Sequence, residues 1–152
     1  MNTDNRIKLR KGVELLKALH FKPENIMITG SIALDAHGIL PPKRKTHDVD
    51  FIVKMDKTSW GCLKLIAEMS KSEQEMKIEY DSSFKEEIIF LKLNDGTTIN
   101  IWRYDSSYDW SDIKDVETGV YVATVNHIIK AKKKYGRAKD LKDINDIVKE
   151  LL

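Results

Sequence analysis

Hydrophobic residues recur every three or four positions in residues 5–20, with Lys and Arg between them, and this spacing predicts an amphipathic first helix. The same kind of pattern, together with capping residues, predicts four more helices, over residues 31–37, 56–70, 125–135 and 138–152. Ser31 is the expected N-cap of the second helix, because its hydroxyl can accept a hydrogen bond from a free backbone N–H. Gly136 is expected to end the fourth helix. The fifth helix carries an apolar stripe at Leu141, Ile144, Ile147, Val148 and Leu151.

Short runs with a preference for β structure lie between these helices, at residues 25–29, 49–53, 77–80, 87–93, 97–104 and 120–122. Asn94, Asp95 and Gly96 join the fourth run to the fifth, and these residue types readily take positive φ, so a hairpin is predicted there. Pro41 and Pro42 require a loop before the second run. Because helices and strands do not alternate regularly, we expect an α+β fold with a mixed central β-sheet flanked by helices.

The size and composition of the chain, 152 residues with 41% hydrophobic and 33% charged, indicate one soluble globular domain. We divide it into an N-terminal helix (1–24), a sheet core with the site (25–122) and a C-terminal helical segment (123–152). The apolar run at residues 88–91 is far shorter than the roughly 18 residues of a membrane span. The charged first ten residues contain no secretory signal. Cys62 is the one cysteine and is expected to be an inert core residue, so we expect a cytoplasmic protein without disulfides.

Two carboxylates lie two residues apart on the predicted second strand. Side chains alternate along a strand, so Asp48 and Asp50 should project from the same face. Their repulsion is relieved by a shared cation, and Mg²⁺ or Mn²⁺ prefers such oxygen ligands. Gly30 and Ser31 stand at a strand-to-helix turn, where free backbone N–H groups favour a phosphate. A turn of this kind is commonly only a helix cap, and such an acid pair only a solvated edge, but the combination is what nucleotidyl transfer from an NTP requires.

The order of these features resembles a known family. A Gly-Ser turn, a short helix, a basic loop and then Arg-x-Thr-x-Asp-x-Asp at residues 44–50 are similar to the nucleotidyltransferase superfamily with the DNA polymerase β fold. The similarity is greatest to small bacterial and phage members related to abortive-infection toxin nucleotidyltransferases, whose tail motif resembles Lys130 followed by residues 137–143. The resemblance implies a mixed sheet flanked by helices, an NTP substrate and divalent metal ions. It implies nucleotide-binding roles for Gly30, Ser31, Arg44 or Lys45, Thr46, Lys130, Arg137, Lys139 and Asp140.

The sequence departs from this family at the strand that follows the hairpin. Family members carry a third carboxylate there, which ligates the catalytic metal and can act as general base. This chain has Asn100, which has neither charge nor basicity. Counting from the hairpin turn places Asn100 on the face next to the acid pair, with Ile99 and Ile101 buried on the other face. Asp95 and Asp105 lie nearby, and either could substitute only if the backbone bends.

Three other groups have both a structural and a functional interpretation. His47 should point away from the acid pair, and we expect it to pack or form hydrogen bonds rather than contact substrate. An aromatic cluster could stack a nucleobase or simply pack against the C-terminal helices, and its members are Trp102, Tyr104, Tyr108 and Trp110. Six basic residues between positions 130 and 139 form either a solvated helix face or a surface for triphosphate or RNA, and residues 43–45 form a second basic patch. The histidines at positions 20, 37 and 127 share no metal-binding spacing and are expected to be structural or solvated.

These observations predict an enzyme that moves a nucleoside monophosphate from an NTP to a hydroxyl. The acceptor could be a tRNA end, a protein or a small molecule such as an antibiotic. The alternative is a nucleotide-binding or interaction module of the same fold in which Asn100 impairs catalysis. A third hypothesis is a small RNA-binding protein whose acidic residues are incidental. Metal-dependent NTP binding separates the first two hypotheses from the third, and pyrophosphate release separates the first from the second.

Overall fold

The computed structural model describes residues 1–39, 46, 48–69, 75–106 and 109–152. Within these ranges the helices are α1 (Thr3–Ala18), α2 (Gly30–Ala36), α3 (Lys57–Met69), α4 (Val125–Tyr135) and α5 (Ala138–Leu151), with a 3₁₀ turn at Pro23–Asn25. The strands are β1 (Ile26–Thr29), β2 (Asp48–Val53), β3 (Glu75–Asp81), β4 (Glu86–Lys92), β5 (Thr98–Arg103) and β6 (Tyr121–Val122).

One sheet contains these six strands in the order β3-β4-β5-β2-β1-β6. The pairs β2–β5 and β1–β6 are parallel, whereas β1–β2, β3–β4 and β4–β5 are antiparallel. The predicted α+β class with a mixed sheet is therefore confirmed. The predicted hairpin is confirmed as well, since β4 and β5 are adjacent and Gly96 has a φ of 88°.

The two faces of the sheet have different chemistry. Phe51, Ile99 and Ile101 are fully buried on one face, which packs against α1. Strand alternation turns Asp50 and Asn100 to the opposite face. A shift of one residue in either strand would exchange the two sets, so the apolar residues of β2 and β5 fix where the polar ones lie.

The five helices begin and end within two residues of the predicted positions. Thr124 caps α4 by accepting a hydrogen bond from the His127 N–H, and Gly136 ends that helix with a φ of 62°. The prediction that Ser31 caps α2 is wrong, because the cap position is Thr29 and the helix begins at Gly30. Gly30 takes a φ of 68° directly after the strand, so the chain turns into the helix one residue earlier than predicted.

The predicted stripe of α5 is only partly buried. Ile147 is buried, but exposure is high at Leu141, Val148 and Leu151. Asp140 and Asp143 are buried on this helix instead, because each pairs with a cation described below.

The expectation that Cys62 is a core residue is wrong, because its side chain is exposed. Trp60 and Leu63 take the buried positions of α3, which leaves Cys62 on the side of the helix that faces solvent. No helix in the described part of the chain combines the length and the apolar character needed to cross a membrane.

Candidate nucleotide and metal site

The parallel pairing of β2 with β5 brings the acid pair beside Asn100. Asp50 is the register partner of Asn100, and Asp48 is the partner of Thr98. The Asn100 Nδ2 donates a hydrogen bond to Asp50 Oδ1 at 3.1 Å, and the Thr98 hydroxyl donates one to Asp48 Oδ1. The predicted placement of Asn100 next to the acid-pair strand is therefore confirmed.

The two carboxylates differ in their environment. Asp48 is exposed, whereas Asp50 is half-buried between β1 and β5. Burial raises the pKa of Asp50 to about 6; the hydrogen bond from Asn100 opposes this rise, and the negative charge of Asp48 adds to it. At neutral pH Asp50 is therefore ionised although its surroundings disfavour the negative charge, and a bound cation would offset that cost.

The Asp50 carboxylate occupies the space that a side chain at position 30 would need, and this space is available because residue 30 is glycine. A Cβ at position 30 would overlap Asp50 Oδ2, and the residue also has positive φ, which side chains rarely adopt. The sequence suggested that this glycine lets a phosphate approach the backbone. The contact with Asp50 gives it a second function, because a side chain here would displace the carboxylate.

Replacing Gly30 with Ala is expected to destabilise the protein more than the matched change at Gly38. Both residues have positive φ, but a Cβ at Gly38 meets nothing within 4 Å. Gly38→Ala should cost about 1 kcal/mol of unfolding free energy from the backbone conformation alone. Gly30→Ala should cost a further 1–3 kcal/mol or so from the overlap, measured by urea denaturation. Equal losses in the two variants would show that Asp50 moves away without cost.

A cavity of about 560 Å³ opens in front of the acid pair, between the sheet and α4. Of the residues predicted to form the site, it is lined by Gly30, Ser31, Thr46, Asp48, Asp50, Asn100, Arg137, Lys139 and Asp140. Lys130 is exposed and does not line the cavity. Arg44, Lys45 and His47 lie outside the described residues.

Thr46 is held in place by α1. Its hydroxyl donates a hydrogen bond to the side-chain oxygen of Asn5, and its backbone carbonyl accepts one from the Lys8 ammonium. Asn5 is buried and also donates to Asp35 at 2.8 Å. Thr46 lines the cavity, and these bonds fix the backbone just before the acid pair.

The wall opposite the acid pair carries cations that are themselves held by carboxylates. Lys132 is only 9% exposed and its ammonium lies 2.8 Å from Asp143. Arg137 donates to Asp140 at 2.6 Å. Burial opposes ionisation of Asp140, but the hydrogen bond and charge of Arg137 outweigh it and lower the pKa of Asp140. The sequence did not single out Lys132, since it lies in a run of lysines and only its burial distinguishes it.

The aromatic residues near β5 divide into two groups. Tyr104 and Trp110 stack edge to face with ring centres 5.3 Å apart, and Trp110 does the same with Tyr121 at 5.7 Å, which supports the packing interpretation for these two. Trp102 lines the cavity. Tyr108 lies outside the described residues.

Two histidines have structural surroundings. His37 Nε2 lies 2.7 Å from the Ala123 carbonyl oxygen. His127 is buried at the cavity wall, and burial lowers the pKa of its ring. Because its pKa is lowered, the His127 imidazole is neutral at neutral pH.

The oxygen ligands beside the cavity fit a divalent cation that takes its remaining ligands from water and phosphate. Among the residues that the structure describes, no group of three or more His, Cys, Asp or Glu side chains is placed to hold a metal ion. Asp48 and Asp50 offer two carboxylates, and Asn100 could offer an amide oxygen after rotation of its amide. Mg²⁺ is commonly bound by one or two carboxylates, with waters and substrate phosphates completing its shell. The raised pKa of Asp50 is consistent with a site that favours a cation.

The fold is that of a nucleotidyltransferase-like protein. It is similar to the crystal structure of an antigenic nucleotidyltransferase-like protein from Paracoccidioides brasiliensis, with a TM-score of 0.51 and 17% sequence identity. The similarity covers 97% of this chain and 77% of that one. No protein-family model and no curated protein matches the chain. At this identity the likeness establishes the fold, and it agrees with the fold that the sequence resemblance implied.

Proposed function

We propose that this chain is a metal-dependent nucleotidyltransferase that moves a nucleoside monophosphate from an NTP to a hydroxyl of an RNA, a protein or a small molecule. The observation that carries the proposal is one cavity lined by Asp48 and Asp50 from β2 and by Lys132, Arg137 and Lys139 from α4 and the start of α5. A carboxylate pair favours a divalent cation, and a basic wall favours a triphosphate. Together they suit the complex of a metal ion with a nucleotide.

Each side of the cavity has its own task in this reaction. The acceptor hydroxyl oxygen attacks the α-phosphorus and its proton passes to solvent, while the bond from that phosphorus to the α,β-bridging oxygen breaks and pyrophosphate leaves. Asp48 and Asp50 would hold Mg²⁺ or Mn²⁺, which when bound supplies charge stabilisation to the transferring group and helps ionise the hydroxyl. Lys132 and Arg137 would stabilise the charge of the departing phosphates, and Ser31 would donate a hydrogen bond to them.

A second candidate function, nucleotide binding without turnover, is favoured by the contact between Asn100 and Asp50. Asn100 donates a hydrogen bond to the carboxylate, so it occupies a lone pair of Asp50 that a metal could use. An amide also cannot accept the proton of the acceptor hydroxyl. We therefore expect NTP and metal to bind and transfer to be slow or absent.

The sequence motif at residues 137–143 supports a relation to abortive-infection toxin nucleotidyltransferases, and we extend the proposal to that group. Toxins of this kind would meet tRNA or protein acceptors in the cytoplasm, where we place this protein.

The test is incubation of the protein with each labelled NTP, Mg²⁺ or Mn²⁺, total RNA and lysate protein. Pyrophosphate release together with transfer of label to one fraction would support the transferase. NTP binding that depends on metal but yields no pyrophosphate would favour the second candidate. If no NTP binds with either metal, both are wrong.

A further inference from the structure

A single carboxylate, that of Asp81 at the end of β3, joins three elements of the cavity wall. Its Oδ1 accepts hydrogen bonds from the backbone N–H groups of Ser83 at 3.0 Å and Phe84 at 3.2 Å. Its Oδ2 accepts one from Trp102 Nε1 at 3.0 Å and one from the Tyr135 hydroxyl at 2.6 Å. The β3–β4 turn, β5 and α4 are thus bound to the same side chain.

The three aromatic residues so held, Phe84, Trp102 and Tyr135, form what we call the aromatic wall, and all of them line the cavity. The Phe84 and Tyr135 rings meet edge to face, with centres 5.1 Å apart. The polar ends of Trp102 and Tyr135 are both engaged by Asp81. What the wall offers to the cavity is therefore ring surface in a fixed orientation.

The position of the aromatic wall matches the dimensions of a nucleotide. Trp102 lies two residues beyond Asn100 on the same face of β5, roughly 7 Å along the strand. That separation is comparable with the one between the α-phosphate and the base of a nucleotide. Lys134 lies over the Phe84 ring at 4.5 Å and Arg137 lies over the Tyr135 ring at 4.8 Å, so a cation covers one face of each of these two rings. The cavity thus passes from an acid pair, past basic groups, to flat aromatic surface.

We propose that the aromatic wall is a nucleobase site and that Asp81 is the positioning residue that keeps it rigid. The inference rests on the proposed function, in which the acid pair and basic groups take the phosphates. Aromatic side chains bind bases by stacking and accept any base, because every base has a π-face. A wall fixed in advance by Asp81 spares the cost of ordering these side chains when the base arrives.

The test compares binding of NTPs with binding of inorganic tripolyphosphate, which has the phosphates but no base, both in the presence of Mg²⁺. Trp102→Leu is expected to weaken NTP binding at least tenfold and to change tripolyphosphate binding less than twofold. Trp110→Leu, which removes an indole outside the cavity, should leave both unchanged. If Trp102→Leu and Trp110→Leu give the same ratio of NTP to tripolyphosphate affinity, the aromatic wall does not bind the base of the NTP.

Asp81 is tested with the same ratio, which a merely structural role would not change. Asp81→Ala should lower the preference for NTP over tripolyphosphate at least fivefold, and Asp81→Asn, which keeps an oxygen acceptor, should restore part of it. Tyr135→Phe keeps the ring and removes the hydrogen bond to Asp81, so it serves if Asp81→Ala does not fold. An unchanged preference in Tyr135→Phe and in any folded Asp81 variant would overturn the positioning role.

The base could belong to the NTP or to an RNA acceptor, and a trinucleotide with a 5′-hydroxyl separates these sources. Weaker NTP binding by Trp102→Leu assigns the wall to the NTP base, and weaker trinucleotide binding alone assigns it to the acceptor. If Trp102→Leu weakens neither NTP binding nor trinucleotide binding, the inference is overturned. If the unaltered protein does not bind tripolyphosphate in a metal-dependent way, the proposed function itself is wrong, and this result differs from those that test the nucleobase site.

Discussion

Asp50→Asn is expected to abolish the dependence of NTP binding on Mg²⁺ or Mn²⁺ and to reduce any transfer activity at least a thousandfold. The substitution keeps an oxygen that can accept the Asn100 hydrogen bond, so the local packing should persist. It removes one of the two carboxylates of the acid pair, and the remaining one, Asp48, is exposed. Loss of a metal-held catalytic charge commonly costs several kcal/mol in the transition state, and about 4 kcal/mol corresponds to this reduction.

The measurement is NTP titration across a range of metal concentrations, with pyrophosphate release as the second readout. Asp112→Asn is the matched control, because it removes an exposed carboxylate that does not line the cavity. Equal metal-dependent binding by the unaltered protein and Asp50→Asn would place the cation elsewhere.

The same variant should be more stable than the unaltered protein when no metal is present. Burial raises the pKa of Asp50 from 3.8 to about 6, so the folded state holds this proton more tightly than the unfolded state does. The ionised carboxylate therefore lowers the free energy of unfolding. This loss is absent well below pH 4, grows between pH 4 and pH 6, and is complete above pH 6. Asp50→Asn should therefore gain about 1–3 kcal/mol at pH 7.5, with little gain at pH 3.5. Urea denaturation at both pH values checks this, and an equal gain at both would show that the carboxylate charge is not its cause.

Addition of Mg²⁺ should reverse this order of stability. A cation bound to the folded state alone stabilises it in proportion to the logarithm of its concentration above the dissociation constant. The unaltered protein should gain from Mg²⁺ with nucleotide, whereas Asp50→Asn should not. On the proposed function, the stability that Asp50 costs in the absence of metal would be recovered when the cation binds.

The parts of the site that sequence reasoning could reach are those fixed by local rules. Alternation along β2 places Asp48 and Asp50 on one face, and the hairpin turn at residues 94–96 sets the phase of β5. These two facts predict that Asn100 faces the acid pair, and the observed register agrees. The buried partners Ile99 and Ile101 anchor that register from the other face.

The remaining features depend on contacts between distant parts of the chain. Asp81 is 21 residues from Trp102 and 54 from Tyr135, and nothing local to the β3–β4 turn indicates that they meet. The buried state of Lys132 depends on Asp143 in the next helix, and a run of lysines gives no sign of which one is enclosed. The exposure of Cys62 could not be predicted for a related reason, because the sequence of a helix shows its apolar residues but not which of them other elements cover.

Asn100→Asp is expected to raise turnover at least tenfold with little change in NTP affinity. Asn100 is the residue next to Asp50 across the β2–β5 pairing, so a carboxylate here would complete a group of three acids facing one cavity. Such a group could accept the proton of the acceptor hydroxyl, a contribution that is typically about 10²- to 10⁴-fold. NTP affinity should change little, because the basic residues proposed to bind the phosphates are unchanged.

Asn94→Asp is the matched control for this change, since it makes the same substitution at an exposed position of the hairpin turn. The new charge at position 100 should also replace a hydrogen bond to Asp50 with repulsion. Without metal, Asn100→Asp should therefore be less stable than the unaltered protein at pH 7.5, and Mg²⁺ alone should stabilise it more than it stabilises the unaltered protein. These effects distinguish an acid at the metal site from one that merely adds surface charge. Strong transfer by the Asn100 form, unchanged by Asn100→Asp, would show that the third acid comes from another part of the chain.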